Sequence, residues 1–359
     1  MKQDIASLNK ERIESAERIE EPDQVPVYLW FESGFNASFA GMKEREYHTN
    51  PASMLKAQVA VDRRFYKLPG VGPDFGIATW PSALGCKINW PEDGPPWVEE
   101  PLVKSAEDAE RLNVPDPYKD GLMPLWLQTY EYMSKELRSD ISYCLGGTLG
   151  PFDTASLIRG PTQFTIDLYR NPQLAHRLLE LCTDMCIEWL RAHERIAGKL
   201  GRVFIGDDFP GFLSPDCFKE FVVPYTKRIF ESFPGSTRWY HCDGDFRLST
   251  LALLKAIPTD VLCCFSPKVD IEKAKNLIGD SICLVGNVPP RDVLLRGTQF
   301  EVRDFCEKCI VKAASGGGYV LSSGGAINVG TPPENIEVMI RSSVAAGKYS
   351  FRAINAIPP

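Results

Sequence analysis

The sequence lacks any long apolar run. No stretch of its 359 residues approaches the ~18 consecutive apolar residues that a membrane-spanning helix requires. The N-terminus is polar and mixed in charge, without the apolar segment of a secretory signal. These absences predict a cytoplasmic protein with no membrane partner.

Excess basic charge is also absent. Lys and Arg number 40 against 47 Asp and Glu, so the formal net charge is −7. A protein that neutralises a phosphate backbone needs a basic surface. We therefore expect no nucleic-acid partner.

Closely paired cysteines are nearly absent, although the chain has 11 of them. The one CxxC pair is Cys306–Cys309, and most of the others lie within apolar runs, where a free cysteine behaves as a small hydrophobic residue. The pattern predicts reduced, buried thiols.

Nucleotide-binding glycine loops and internal repeats are missing too, which disfavours a doubly wound open sheet. The chain instead alternates short apolar runs with helical stretches, typical of a parallel sheet covered by helices. Seven runs are predicted strands: 25–31, 141–147, 201–207, 237–242, 260–265, 282–287 and 319–325. An eighth strand must lie hidden within 67–120. Eight such units predict a (β/α)8 TIM barrel.

The domain organisation follows from the same pattern. We expect a single TIM-barrel domain over 1–359, with an N-terminal helical extension at 1–24 and a long irregular insertion, rich in Gly and Pro, at 67–120. The predicted helices are 51–66, 122–137, about 153–168, 172–198, 214–233 with Ser214 as N-cap, 246–256, 270–279 closed by Gly279, 299–314 and 331–347.

Polar residues follow several predicted strands, at the end of the barrel where TIM-barrel chemistry takes place. Asp207 and Asp208 follow one strand, and His241 and Asp243 end the next. His176 and His193 lie on long amphipathic helices and His48 in a polar loop, so His241 is the histidine that we expect to act chemically.

Strand alternation divides the segment around His241. Trp239, His241 and Asp243 share one face, while Tyr240 and Cys242 share the other. If His241 faces the barrel mouth, Asp243 joins it and Cys242 turns towards the helices. Only one of Asp207 and Asp208 can face the mouth, and the sequence does not distinguish them.

An ordered set of motifs resembles the uroporphyrinogen decarboxylase superfamily over roughly 25–350. The motifs are ALGCKINWPEDGPPW, LGGTLGPFDTASLIRGPTQF, GDDFPGFLSPDCFKEFVVPY, HCDGD, LVGNVPPRDVLLRGT and GGGYVLSSGGAINVGTPPENI. The superfamily is TIM-barrel-like. Its true decarboxylases carry an arginine-rich loop after the first strand, but no arginine lies between Val25 and Gly41 here. The resemblance therefore favours the other branch, the corrinoid-dependent methyltransferases, and within it the O-demethylase type.

The departures from that branch concern the metal. Its thiol-methylating members hold zinc through a His-x-Cys element and a later Cys, and here Asp243 and Gly325 occupy the two cysteine positions. The resemblance then implies a zinc site of nitrogen and oxygen ligands: His241, Asp243, and Asp207 or Asp208. Such a hard ion suits a leaving ether oxygen. The alternative is that no metal binds and that His241 and Asp243 donate a proton to that oxygen.

The expected function is methyl transfer from a small methylated substrate, such as a methoxylated aromatic, to the cobalt of a partner corrinoid protein. Apolar walls for the substrate are expected from Trp30, Phe31, Phe75, Trp80 and Trp239. The oligomeric state is expected to be a monomer or a homodimer. Two alternatives remain: a cofactor-free decarboxylase, for which only Arg159 and Arg291 lie near strand ends, and a catalytically silent binding relative.

Overall fold

The structure is a computed structural model that describes residues 2–65, 70–137 and 145–349, with side chains from Ser7 onwards. Short strands rich in Val, Ile, Leu and Cys form its centre: β1 (Ile88–Asn89), β2 (Trp97–Val98), β3 (Gly147–Leu149), β4 (Arg202–Gly206), β5 (Thr237–His241), β6 (Val261–Cys263), β7 (Cys283–Val288) and β8 (Tyr319–Ser323). Six of these strands pair in parallel in the order β3-β4-β5-β6-β7-β8, and β1 and β2 form a separate antiparallel pair.

The first predicted strand, 25–31, runs beside β8 without forming a regular ladder. Val27 forms a parallel bridge with Leu321, and Phe31 forms one with Ile327. The Tyr28 amide donates to the Leu321 carbonyl at 3.0 Å. The segment 25–31, the first predicted strand, therefore neighbours the last strand, as closure of a barrel requires. The prediction of a TIM-barrel-like fold with an N-terminal helix is confirmed.

Two predicted strands, the one within 67–120 and the one at 141–147, have no full counterpart among the described residues. Within the described part of 67–120, which starts at residue 70, no regular strand joins the parallel sheet, and Val71 forms only a single bridge. The predicted strand 141–147 falls mostly outside the described residues, and the regular pairing there begins at Gly147.

The helices alternate with the strands and cover the sheet. They are α1 (Lys2–Glu17), α2 (Ser33–Phe39), α3 (Glu44–Thr49), α4 (Pro51–Phe65), α5 (Thr79–Ala83), α6 (Ala106–Glu110), α7 (Met123–Glu136), α8 (Pro151–Arg159), α9 (Pro161–Arg170), α10 (Pro172–Ala197), α11 (Pro215–Phe221), α12 (Val223–Glu231), α13 (Leu248–Leu251), α14 (Ile271–Ile278), α15 (Gln299–Ala313) and α16 (Pro333–Ala346). Short 3₁₀ turns occupy 76–78, 209–212 and 252–256, and a π turn occupies 290–295. Within the described residues, no helix combines the length and the apolar character needed to cross a membrane.

Three helices that were predicted as continuous are each divided into two elements in the structure. The helix predicted at 153–168 is α8 followed by α9, because Gly160 adopts φ +88° between them and Pro161 starts a new helix. The helix predicted at 214–233 breaks at Val222, two residues before Pro224, which lacks an amide hydrogen. The helix predicted at 246–256 is α13 followed by a 3₁₀ turn.

The two predicted caps had different outcomes. Ser214 caps α11 as predicted, because its hydroxyl accepts from the Cys217 amide at 3.3 Å. Gly279 is the C-cap of α14 with φ −73°, so it does not take the left-handed conformation that favours glycine at the C′ position.

Helix α1 packs at the amino-terminal ends of the barrel strands. Ile13 and Ala16 are buried in an inner apolar cluster with Trp239, Cys283 and other inward-facing strand residues. Glu17 accepts hydrogen bonds from Arg202 at 2.8 Å and from the Trp239 indole at 2.9 Å. The N-terminal extension therefore closes the floor of the barrel.

The ten described cysteines are free and buried, as predicted. Cys144 lies outside the described residues.

Candidate active site

His241 is the last residue of β5 and lies between two neighbouring strands in register with Gly206 and Cys263. Its ring is buried, and Nδ1 lies 2.8 Å from the Cys263 carbonyl oxygen. A carbonyl can only accept, so Nδ1 carries the hydrogen. Nε2, which lies 3.2 Å from Oδ1 of Asp208, is therefore the nitrogen available for chemistry.

Asp208, His241 and Asp243 form one group at the carboxyl ends of β4 and β5. One ligand atom from each lies within 4.8 Å of the others. The Asp243 amide also donates to Oδ1 of Asp208 at 3.0 Å. Cys242 points away, buried in the outer core, and its thiol contacts the Asp208 carbonyl oxygen at 3.4 Å. The predicted division of the segment by strand alternation thus matches the structure.

Glycine allows the two loops that carry these carboxylates to meet. A Cβ added at Gly244 would lie 2.4 Å from the Asp208 carbonyl oxygen, and one added at Gly211 would lie 2.6 Å from Gly244. Real Cβ atoms do not approach so closely, so the loops after β4 and β5 need glycine at this contact. The glycine of HCDG therefore serves the approach of Asp208 to Asp243.

Asp207 lies on the other side of its strand and is not part of this group. Its buried Oδ1 accepts from the Asp153 amide at 2.7 Å, in the first turn of α8. Asp153 in turn accepts from the amides of Asp208 and Phe209, each at 2.9 Å. Burial raises the pKa of both carboxyl groups, that of Asp153 to about 7. The two carboxyls hold α8 and the turn that presents Asp208.

The electrostatics of the group favour a charged pair. Burial alone would lower the pKa of His241, but the adjacent Asp208 carboxylate raises it to about 9. Burial opposes ionisation of Asp208 as well, yet His241 and the Asp243 amide keep its pKa below the usual range. Burial and the neighbouring Asp208 raise the pKa of Asp243.

One predicted wall residue contacts the group directly. The Trp30 ring lies 4.1 Å from the His241 ring, centroid to centroid. Phe204, which the sequence analysis missed, lies 5.6 Å from Trp30 and 6.1 Å from His241. It is an inward-facing residue of β4, two positions before Gly206, which is the signal that could have identified it. Both rings are half-buried, so they can provide an apolar surface.

The other predicted wall residues make their described contacts in the core or towards the barrel floor. Phe31 stacks on Phe65, and its ring lies 4.6 Å from that of Phe35 in the core beneath α2 and α4. Phe75 is buried in the same large core, and Trp80 packs against it. Trp239 lies towards the barrel floor, where its indole bonds to Glu17 and Arg202 lies over its ring at 3.9 Å.

Two acidic residues at the mouth were missed. Glu32 directly follows the 25–31 segment, and Asp74 follows the bridge at Val71. Burial and the charges of Asp74, Asp208 and Asp243 raise the pKa of Glu32 to about 7, whereas His241 opposes them. Glu32 could have been found as another polar residue at the end of a predicted strand. No sequence signal marks Asp74.

The remaining histidines are outside this group. The prediction that His48 lies in a polar loop is wrong: it is buried on α3, with Nδ1 2.9 Å from the Asp74 carbonyl oxygen. His193 is fully buried on α10 and accepts from the Gly146 amide at 3.1 Å. His176 lies 2.6 Å from the Tyr225 hydroxyl.

The donor set fits a divalent cation. Zinc binds imidazole nitrogen and carboxylate oxygen, and a metal-binding histidine usually donates its other N–H to a carbonyl or carboxylate, as His241 does to Cys263. The 3.2 Å separation of Nε2 and Oδ1 approximates the spacing of two ligands on one tetrahedral ion. A Cβ at Gly325 would lie 3.2 Å from Oδ2 of Asp243, so position 325 faces the same group.

Comparison with known proteins agrees with this architecture. The chain matches the uroporphyrinogen decarboxylase (URO-D) family over residues 8–344. It belongs to that family. The uroporphyrinogen decarboxylase of Psychromonas ingrahamii is 25% identical over 285 residues, covering 74% of this chain and 75% of the relative. The methylated-thiol–coenzyme M methyltransferase of Methanosarcina mazei is 23% identical over 274 residues, covering 75% of this chain and 71% of the relative.

A solved structure also superposes on this chain. A methyltransferase from Methanosarcina mazei aligns with a TM-score of 0.79 at 24% identity, over 94% of this chain and 98% of that chain. This likeness shows the fold. The relatives of this URO-D family member thus include decarboxylases as well as a methyltransferase.

Proposed function

We propose that the protein is a methyltransferase of an O-demethylase system. It takes a methyl group from a small methylated substrate, such as a methoxylated aromatic, and the methyl carbon passes to the cobalt of a corrinoid carried by a partner protein. The observation that carries the proposal is the Asp208–His241–Asp243 group beside Trp30 at the barrel mouth. It combines a site for a departing oxygen with an aromatic surface for the substrate.

His241, Asp208 and Asp243 are proposed to hold zinc. When bound, the ion would supply Lewis acidity to the oxygen that keeps the electron pair of the broken C–O bond. His241 is oriented for this by its Nδ1 hydrogen bond to Cys263, and the Asp208 loop is held by Asp153. Trp30 and Phe204 would exclude water from the methyl group and orient the aromatic ring.

The same residues can act without a metal. His241, charged through its contact with Asp208, would then donate the Nε2 proton to the departing oxygen. Metal analysis distinguishes the two forms of the proposal.

A decarboxylase is the second candidate, since decarboxylases are among the relatives. A multiply carboxylated substrate needs free cations. Arg159 donates to Asp167 at 2.6 Å and to the Val103 carbonyl at 2.9 Å, so its guanidinium is already engaged. Arg291, exposed within the π turn, is the remaining candidate to bind a substrate carboxylate. A single cation does not match several carboxylates, which disfavours the decarboxylase.

The test is methyl transfer from a panel of methyl ethers, methylamines and methyl thioethers to a reduced corrinoid protein, followed through the corrinoid spectrum. We expect turnover with aromatic methyl ethers. Carbon dioxide release from porphyrinogens without methyl transfer would support the decarboxylase instead. Neither activity, together with the absence of bound metal, would support the silent binding relative.

A further inference from the structure

Glu32 is a carboxylate at the mouth that the proposed chemistry does not use. It is the N-cap residue of α2, yet its side chain makes no capping hydrogen bond. The side chain is exposed, although burial is the main cause of its raised pKa. Glu32 stands two residues after Trp30, whose ring lies 4.1 Å from that of His241. An exposed side chain at this place is within reach of a ligand that enters the mouth.

The charges that act on Glu32 most strongly are mainly negative. Asp74, Asp208 and Asp243 disfavour its ionisation, and His241 is the opposing cation. Asp74 is bonded to neutral donors, the Tyr47 hydroxyl at 2.9 Å and the Gly76 amide at 3.0 Å, so these contacts bring no positive charge. His241 and the Asp243 amide keep Asp208 ionised, so an ionised Glu32 adds a further negative charge to the mouth.

Among the charges that act most strongly on Glu32, His241 is the one cation, against three carboxylates. Arg159 is bonded to Asp167, and its side chain is only 10% exposed. Lys268 donates to Asp245 at 2.6 Å. Arg291 is exposed in the turn after β7 and is not among those strongest charges. An incoming carboxylate beside Glu32 would therefore meet mainly like charge.

We infer that Glu32 is a specificity-determining residue, which makes the mouth favour methyl ethers with a positively charged non-reacting end over those that carry a carboxylate. The inference rests on the proposed function for the identity of the reacting group. Its physical basis is that like charges in a concave, partly desolvated site repel more strongly than in bulk water. Such repulsion provides specificity by rejecting the wrong partner.

Three ligands of nearly equal shape test the inference: 4-methoxybenzylamine, 4-methoxybenzyl alcohol and 4-methoxybenzoate. Calorimetric binding at pH 8, above the pKa of about 7, keeps Glu32 ionised. We expect affinity to fall from the amine to the alcohol to the carboxylate, by about tenfold or more across the series. High salt should compress the series.

Variants assign the effect to Glu32. Glu32→Gln should bind the alcohol as the wild type does, while the ratio of amine to carboxylate affinity falls severalfold. Glu32→Asp is the matched control, because it keeps a carboxylate at this position, and it should keep most of the wild-type ratio. Thermal unfolding of each variant checks that the fold is retained.

The outcomes separate this inference from the proposed function. An unchanged ratio in Glu32→Gln, equal or tighter binding of the carboxylate by the wild type, or no binding of any of the three ligands would overturn the role of Glu32. Methyl transfer without charge discrimination would leave the proposed function intact and remove the inference. Charge discrimination without methyl transfer would keep the role of Glu32 and remove the proposed function.

Discussion

Nε2 of His241 lies 3.2 Å from Oδ1 of Asp208, and this contact joins the carboxyl ends of two neighbouring strands. The imidazole is buried, whereas the Asp208 side chain is 43% exposed. A buried imidazole and a solvent-reached carboxylate thus meet at the barrel mouth, and several consequences can be measured.

Replacement of His241 tests the chemistry. His241→Ala should lower methyl transfer at least ~100-fold, since it removes both the metal ligand and the proton donor. Activity on aromatic ethers and the far-ultraviolet circular dichroism spectrum are measured together. Asp245→Asn, a change in the same loop at a carboxylate paired with Lys268, should stay near wild-type activity. Full turnover by His241→Ala would refute the assignment.

Metal content tests the ligand set. Purified protein should bind about one zinc per chain, measured by elemental analysis. Asp208→Asn and Asp243→Asn should each weaken binding by more than the ~10–100-fold that loss of an outer-shell partner costs. Asp245→Asn again serves as the control. Zinc retained at wild-type affinity in both Asn variants would exclude this group as the site.

The pKa of His241 predicts a loss of stability at alkaline pH in the metal-free protein. Its folded value of about 9 exceeds the unfolded value of ~6.5, so the His241–Asp208 contact stabilises fully below pH ~6.5 and progressively less towards pH 9. Nuclear magnetic resonance of the ring should give the raised pKa, and Asp208→Asn should lower it. A ring pKa that Asp208→Asn does not change would contradict the coupling.

His193 predicts the opposite dependence. Burial lowers its pKa to about 3, and the neutral ring packs between Trp126 and Trp189. Because the unfolded chain takes up the proton first, the contribution of His193 is present above pH ~6.5 and lost as the pH falls towards 3. Urea unfolding between pH 7 and 4 should show this decline, and His193→Gln should flatten it. An equal slope in both proteins would show that other groups cause the decline.

The barrel floor predicts a stability effect far from the mouth. Glu17→Ala would leave the Arg202 guanidinium and the Trp239 indole without an acceptor, at a cost of ~2–4 kcal/mol. Urea unfolding measures this free energy. Glu14→Ala on the same helix, whose carboxylate is 48% exposed and 3.9 Å from Lys10, should cost under ~1 kcal/mol. Equal costs would show that the floor contacts contribute little.

Local patterns predicted much of the fold and the centre of the site. Alternation along β5 placed His241 and Asp243 together and turned Cys242 away, because strand geometry depends only on neighbouring residues. The same alternation could not choose between Asp207 and Asp208. The strand ends at Gly206, and Asp153 on another helix sets the turn that follows.

The sequence could not predict how deep a side chain lies along the barrel, or which distant segments contact one another. Trp239 shares a face with His241 but bonds to Glu17 at the floor, because two residues along a strand span ~6–7 Å. Glu32 and Asp74 come from separate segments that only the closed fold brings near Asp208. The continuity of helices was likewise decided by single residues, such as Gly160 and Val222.

The sequence by itself determined the alternation of strands and helices, the family motifs and the pairing of His241 with Asp243, because each depends on local periodicity or on residue order. Only the tertiary structure decided that Asp208 completes the group, that Asp207 supports a helix and that Glu32 lies under the influence of these charges. These depend on how distant segments approach one another, and on glycines such as Gly244 that allow that approach. The HCDG segment thus provides two ligand candidates, a buried thiol and the contact that brings Asp208 to them.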